Sequence, residues 1–253
     1  MQEAALRAAG LADWRYLRLP LPPEAFAETV RALPAAGFRG VNVTIPHKEA
    51  ALALAGAASG AAQAIGAANT LTFEPDGTIA ADNTDAPGLL EAIARAGGDP
   101  AAGRALVLGA GGSARAVVYA LLGAGAPEVL VWNRTHSRAQ ALAAELGARA
   151  VTRPEPAPLL VNCTSVGLDG AQDPFKALPI AADGLRAGSV LVDLVYRDGG
   201  TPLMRAARAR GLVAVDGLEV LVAQGAASFE RWTGMAADRR AMREAVGIPG
   251  VDG

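Results

Sequence analysis

The chain has few of the residues that staple or metallate a small protein. Among 253 residues there is one cysteine, Cys163, and there are two histidines, His47 and His136. One thiol excludes an intramolecular disulfide framework, and so few ligands fall short of an ordinary zinc site. No metal is expected, and a reducing, cytoplasmic location fits best. Acidic and basic residues number 25 and 23, a net charge of -2, and no block of like charge appears. The electrostatic footprint of a general nucleic-acid binder is therefore missing, and small molecules are the expected partners. Long apolar runs are missing as well. Residues 50–68 are Ala-rich but interrupted by Gly56, Ser59, Gly60 and Gln63, short of the ~20 continuous apolar residues that a bilayer crossing needs. Glu3 and Arg7 stand where a signal peptide would be apolar, so neither secretion nor a membrane partner is expected. Lysine is scarce: Lys48 and Lys176 stand against 21 arginines.

Hydrophobic residues make up 51% of the chain, which predicts a folded, soluble protein, and ~150 residues per domain predicts one large or two small domains. The pattern predicts a helix over 4–9 stopped at Gly10, a strand over 14–19 and a helix over 24–36 closed by Gly37. It then predicts a strand over 40–45 running into Pro46, a helix over 48–55, and a hairpin of 69–73 with 79–81. A helix over 88–96 ends at Gly97-Gly98, and Asp99-Pro100 marks a plausible boundary. Beyond it, strands over 105–108, 129–132, 159–162, 190–194 and 212–215 alternate with helices over 113–123, 137–146 and 205–210. That spacing predicts an α/β fold with a parallel, doubly wound sheet. A long amphipathic helix over 218–232 follows, and residues 248–253 read as a short flexible tail.

The segment Gly109-Ala110-Gly111-Gly112-Ser113-Ala114 follows an apolar strand and opens a helix, which is the context of a Rossmann-type dinucleotide turn. Gly109 permits the tight turn, Gly111 lets the backbone approach a pyrophosphate, and Ala114 allows close helix packing. The next strand ends at Asn133, where an NAD site would place an acid. Asn133, Arg134 and Thr135, with Arg138 about one turn later, would welcome a ribose phosphate, so NADP is the expected cofactor. The bland reading of Arg134 and Arg138 is that of solvated charges at a helix start.

Two further clusters carry chemistry. Asn42-Val43-Thr44-Ile45-Pro46-His47-Lys48 sits at a strand end, and a lysine kept in an arginine-rich chain suggests a need for a compact, titratable amine. Asp82-Asn83-Thr84-Asp85 leads into a helix, where Asp85 alone would read as an N-cap. Joined in order with Gly66 to Thr70, Gly88, Gly109 to Arg115, Asn133 to Thr135 and Gln224-Gly225, these segments resemble shikimate dehydrogenase over nearly the whole chain. All five asparagines, Asn42, Asn69, Asn83, Asn133 and Asn162, fall in such segments.

The resemblance implies an N-terminal α/β substrate domain of residues 1–97, completed by 218–253 returning to it, and an NADP-binding Rossmann domain of 98–217. It implies a reversible, NADPH-dependent reduction of 3-dehydroshikimate to shikimate, in the pathway to aromatic amino acids, by a monomer or homodimer. Lys48 and Asp85 match the family's catalytic pair. Thr44, Asn69, Asp85 and Gln224 match positions that bind the substrate hydroxyls, and Tyr196 matches one close to the substrate. Thr164 and Ser165, with Val195 and Gly217, would lie beside the nicotinamide. His47 is expected to orient rather than transfer protons, His136 to be exposed, and Cys163 to be an inert core thiol.

The family's opening strand and Gly-x-Pro-x-x-x-Ser-x-Ser-Pro loop, whose two hydroxyls hold the substrate carboxylate, find no counterpart, since Met1 to Leu6 align within the following helix. An upstream start is the favoured expectation, and a free sheet edge is expected where that strand would pair. The competing expectations are a family member with impaired substrate binding that acts as an NADP-binding protein, and a quinate/shikimate dehydrogenase-like oxidoreductase. Glutamyl-tRNA reductase shares a glycine turn followed by Asn-Arg-Thr, but the nucleophilic cysteine and tRNA-binding extension that it needs are not found.

Overall fold

The computed structural model describes residues 1–169, 173–180, 185 and 187–248; most of the expected tail, 249–253, lies outside them. The chain divides into two compact units, Met1–Gly88 with Val222–Gly253, and Leu89–Leu221.

The first unit contains α1 (Gln2–Ala8), α2 (Pro23–Ala32), β1 (Gly40–Asn42), α3 (Lys48–Leu54), β2 (Ala57–Ala58), α4 (Gly60–Ile65), β3 (Thr70–Phe73) and β4 (Ile79–Asp82). The helix expected over 24–36 is shorter, because Pro34 cannot continue the hydrogen-bond ladder. It stops at Ala32, and a 3-10 turn covers Pro34–Ala36. No strand forms over 14–19. Tyr16 donates its backbone N–H to Glu3 Oε1 at 2.6 Å and its hydroxyl to Asn42 Oδ1 at 3.0 Å, so side chains rather than a ladder hold this segment. The strand expected over 40–45 ends at Asn42, where Thr44 turns to accept the His47 N–H at 2.9 Å. The short helix α4 was not anticipated, although Ser59 caps it by accepting the Ala62 N–H at 3.1 Å.

These strands form a sheet in the order β1-β3-β4-β2, antiparallel except for β2 with β4. Leu71 and Phe73 of β3 pack with Phe26, Val30, Ala51 and Ala62 from α2, α3 and α4. By the period of two, Thr70 turns to the opposite face. Strand β1 ends the sheet, with no strand on its outer edge among the described residues. A cavity of about 390 Å³ beside it is lined by residues including Trp14, Tyr16, Phe38 and Trp232.

The chain passes into the second unit within α5 (Asp85–Arg95). There follow β5 (Ala105–Leu108), α6 (Gly112–Gly123), β6 (Val129–Trp132), α7 (His136–Leu146), β7 (Arg149–Ala150), β8 (Leu159–Asn162), α8 (Pro174–Ala177), β9 (Val190–Asp193), α9 (Pro202–Arg208) and β10 (Val213–Asp216). All pairings in this sheet are parallel, in the order β10-β9-β8-β5-β6-β7. Every residue of β5 and β8 is buried, as expected for strands covered on both faces. Leu106, Leu130, Leu160 and Leu191 share one cluster with Leu203, Met204 and Ala207 of α9. The order reverses at β5, whose neighbours β6 and β8 lead to opposite ends of the sheet, and ligands of such sheets bind beyond the strand C-termini at this point.

The chain returns to the first unit within α10 (Gly217–Thr233), followed by α11 (Arg239–Glu244). Val222, Ala226 and Phe229 of α10 bury against Ala5 and Leu6 of α1 and Met242 of α11. Trp232 donates its indole N–H to the Leu71 carbonyl of β3 at 3.0 Å. Substitution Trp232→Phe removes this bond while the carbonyl keeps its place in the β1–β3 ladder, and is expected to cost about 0.5–1.5 kcal/mol, read as a lower urea midpoint with an unchanged m-value.

Candidate active site

Lys48, the first residue of α3, places Nζ 2.5 Å from Asp85 Oδ2 in the first turn of α5, and the two side chains are 11% and 20% exposed. A pair this sheltered from water has a stronger mutual attraction than a surface pair. Lys176, the other lysine, is exposed on the second unit, so the amine retained at position 48 is the sheltered one. The carboxylate of Asp85 also suits the N-terminal end of a helix. Asp85 is not the cap of α5, since Asn83 Oδ1 takes that role by accepting the N–H groups of Asp85 at 3.1 Å and Ala86 at 3.4 Å.

Asn69, buried just before β3, joins this pair to α10. Its Nδ2 donates to Asp85 Oδ1 at 2.8 Å and to Gln224 Oε1 at 3.2 Å. Gly88 lets α5 and α10 meet here, because a Cβ at that position would lie 2.7 Å from the Gln224 backbone nitrogen. Four of the expected residues, Lys48, Asn69, Asp85 and Gln224, are thus in one hydrogen-bonded group. Thr44 is exposed on the loop between β1 and α3. His47 stacks on Phe26, with ring centroids 4.5 Å apart, and its Nε2 lies 2.9 Å from the Leu21 carbonyl oxygen, an arrangement that holds the strand-to-helix turn in place.

Behind the group lies a layer that the sequence reading missed. Ser228, fully buried, accepts from Asn42 Nδ2 at 2.7 Å and lies within hydrogen-bond distance of Thr70 Oγ1 at 2.9 Å and Thr84 Oγ1 at 3.2 Å. The available signal was the spacing of four from Gln224, which puts both residues on one face of α10.

In the second unit, Gly109 ends β5 with φ of 112°, a conformation that side chains disfavour, and a Cβ there would press on the Cys163 carbonyl at 3.1 Å. Gly111 opens α6 with no side-chain cap, which leaves helix-start N–H groups for an anion, and Ala114 is fully buried as close packing requires. Ala110, Gly112 and Ser113 complete the turn. The loop after β8, which carries Thr164 and Ser165, starts beside it, with the Cys163 N–H donating to the Leu108 carbonyl at 2.8 Å. Val195 and the 47% exposed Tyr196 follow β9, and Gly217 follows β10.

Asn133 Nδ2 donates to the Thr135 carbonyl at 2.9 Å, and Arg134, Thr135 and Arg138 are exposed around the start of α7. His136, the first residue of α7, departs from expectation: it is only partly exposed, and its Nδ1 is buried with no hydrogen-bond partner among the described residues. Cys163 lies one residue beyond β8 and is half-buried rather than part of the core. Among the described residues no cluster of three or more His, Cys, Asp or Glu is arranged to hold a metal ion, and no helix is long and apolar enough to cross a membrane.

A glycine turn at the switch point of a parallel sheet, followed by arginines in place of an acid, fits NADP, and the other unit presents an ammonium–carboxylate pair; this is the architecture of an NADP-dependent oxidoreductase. Residues 1–71 match the family model described as shikimate dehydrogenase substrate binding domain, 92–158 that of shikimate / quinate 5-dehydrogenase, and 217–246 that of the shikimate 5'-dehydrogenase C-terminal domain. The chain belongs to the shikimate dehydrogenase family. A shikimate dehydrogenase (NADP(+)) from Thermus thermophilus is 48% identical over 247 residues, covering 97% of this chain and 90% of that protein. Its counterpart from Methylobacterium radiotolerans is 50% identical over 233 residues, covering 87% and 80%. The crystal structure of shikimate 5-dehydrogenase from Thermus thermophilus in complex with NADP(H) and shikimate superposes with a TM-score of 0.87 at 44% identity, covering 97% of this chain and 92% of that one.

Substitution Ser228→Ala removes an acceptor from the Asn42 amide in a fully buried place. It is expected to lower stability by about 1–3 kcal/mol, measured by chemical denaturation, whereas Ser228→Thr keeps the hydroxyl and recovers part of the loss.

Proposed function

We propose that the chain catalyses the reversible, NADPH-dependent reduction of 3-dehydroshikimate to shikimate, with Lys48 and Asp85 as its acid–base pair. The observation that carries this reading is the sheltered Lys48–Asp85 contact, tied to Asn69 and Gln224 within a unit whose first 71 residues match the family's substrate-binding model. NADPH, when bound, supplies the hydride to the ketone carbon. Lys48 Nζ donates the proton that the ketone oxygen acquires and takes it back in the oxidative direction. Asp85 stabilises the ammonium and accepts a hydrogen bond from a ring hydroxyl. An ammonium at this point also stabilises negative charge as it develops on that oxygen. Thr44, Asn69 and Gln224 bind the remaining hydroxyls, and Tyr196 lies close to the substrate.

In this reading residues 1–97 with 218–253 are the substrate domain and 98–217 the NADP domain. Gly109, Ala110, Gly111, Gly112, Ser113 and Ala114 receive the pyrophosphate. Asn133, Arg134, Thr135 and Arg138 receive the ribose phosphate, and Thr164, Ser165, Val195 and Gly217 flank the nicotinamide. The enzyme acts in the cytoplasm on small molecules, as a monomer or homodimer, without nucleic-acid or membrane partners.

The direct test follows NADPH oxidation spectroscopically with 3-dehydroshikimate, and with 3-dehydroquinate as the competing substrate. Lys48→Ala is expected to lower kcat by roughly 10²–10⁴-fold while NADPH still binds; an unchanged kcat would remove Lys48 from the proton transfer. Arg134→Ala and Arg138→Ala are each expected to raise KM for NADPH by about tenfold or more, with little change for NADH. Equal losses with both cofactors would contradict the phosphate assignment.

A further inference from the structure

The last residues of three neighbouring strands of the second unit form one row across the sheet, in which Asn162 of β8 pairs with Asp193 of β9 and Asp193 pairs with Asp216 of β10. Asp193 is fully buried there. Its Oδ1 accepts from Asn162 Nδ2 at 2.9 Å and from the Val195 N–H at 3.2 Å, and its Oδ2 accepts from Thr201 Oγ1 at 2.5 Å. The string continues on both sides. Thr201 Oγ1 accepts the Met204 N–H at 3.1 Å and so caps α9. Asn162 Oδ1 accepts the N–H and the hydroxyl of Thr164 at 3.1 and 2.7 Å, and Thr164 Oγ1 in turn accepts the Val166 N–H at 3.2 Å.

A buried carboxyl is costly unless its partners are complete. Burial pushes the Asp193 carboxyl above the usual carboxylate range, the hydrogen bonds from Thr201, Asn162 and Val195 oppose this, and the neighbouring carboxylate of Asp216 adds to the rise. A position held at such a cost calls for a use. A leucine would suit the apolar interior of β9 better, yet only an acceptor can hold the Val195 amide, the Asn162 amide and the Thr201 hydroxyl together. What these donors share is their location: they set the loop after β8, which carries Thr164 and Ser165, and the loop after β9, which carries Val195.

We propose that Asp193 is a positioning residue for the cofactor, a common acceptor that holds the Thr164–Ser165 loop and the Val195 loop in one arrangement beside the switch point of the sheet. The inference rests on the assignment of those loops to the nicotinamide. Asp193 does not touch the reacting atoms in this account; it acts through Asn162 and the Val195 backbone.

The test compares Asp193→Ala, which removes every acceptor, with Asp193→Asn, whose carbonyl oxygen still serves Asn162 and Val195. Asp193→Ala is expected to lower kcat/KM for NADPH on the order of 10²-fold while KM for 3-dehydroshikimate stays within about twofold, and Asp193→Asn is expected to recover most of the loss. Should Asp193→Ala fail to fold, Asn162→Ala unties the loop after β8 from Asp193 while the Val195 and Thr201 contacts of Asp193 remain, and is expected to give a smaller, equally cofactor-selective loss. Direct titration of wild-type protein with NADPH separates the two levels of the argument. Wild-type protein that does not bind NADPH overturns the cofactor assignment and this inference with it. Wild-type binding together with unchanged NADPH parameters in a folded Asp193→Ala or Asn162→Ala variant overturns the inference alone. Equal losses for both substrates, accompanied by a lower thermal midpoint, would mark the carboxyl as merely structural and also overturn it.

Discussion

Thr84 donates its backbone N–H to Asn69 Oδ1 at 2.7 Å, and a backbone amide can only donate. That one contact orients the Asn69 side chain, because the atom that meets the Thr84 N–H must be its oxygen, which leaves the nitrogen to donate to the surrounding acceptors, the Thr84 hydroxyl among them at 3.0 Å. The nitrogen then meets Asp85 Oδ1 and Gln224 Oε1, both acceptors. With one Asp85 oxygen engaged by Asn69, the other is the one that meets Lys48. Gln224 in turn points its oxygen at Asn69, and its amide nitrogen is directed elsewhere. The polarity of the whole group follows from a main-chain atom that no side-chain substitution elsewhere can reverse. An ion pair whose surroundings had two equivalent hydrogen-bond orders would spend part of its time in each.

The two units solve a similar problem by different means. Each brings polar side chains into an interior built from Ala, Val and Leu, and each satisfies them almost wholly with other side chains and nearby backbone. In the first unit hydroxyls and carboxamides share the work, and the buried Ser228, Thr70 and Thr84 can each donate or accept. In the second unit a single carboxyl gathers donors that cannot all turn round. The hydroxyl layer can adjust its proton order when charge near Asp85 changes. The Asp193 arrangement favours one fixed geometry of the loops after β8 and β9.

Much of this was legible in the sequence because it depends on local rules. The parallel sheet announced itself through short Val- and Leu-rich runs spaced by helices, and the glycine turn through its place between β5 and α6. Lys48 stood out by composition, as a lysine in a chain that otherwise uses arginine. The failures have a common physical origin in contacts between distant residues. Residues 14–19 alternate like a strand, but a strand exists only where a neighbour pairs with it, and Tyr16 is instead held by Glu3 and Asn42. Pro34 divided a helix whose apolar spacing ran straight through it. Ser228 and Thr201 look like ordinary polar residues on helices, and their importance depends on partners 158 positions away for Ser228 and Thr70 or across a loop for Thr201 and Asp193. Asp85 was read against the N-cap alternative, and the structure gives that role to Asn83 while leaving Asp85 to face Lys48.

The return of the chain through α10 has a consequence for how the protein is made. Gln2 donates to the Gly225 carbonyl at 2.9 Å across a separation of 223 residues, and Gln224 and Ser228 lie on the same late helix. A ribosome that has released everything through β10 has delivered every described strand of both sheets, yet the chain still lacks the helix that buries Ala5 and Leu6 and reaches Asn69. The first unit must therefore wait, partly open, until α10 has been made, since contacts at such range form only after the intervening chain is in place. A molecule cut short before α10 would lack the contacts of Gln224 and Ser228 with Asn69 and Asn42, however well its second unit had folded.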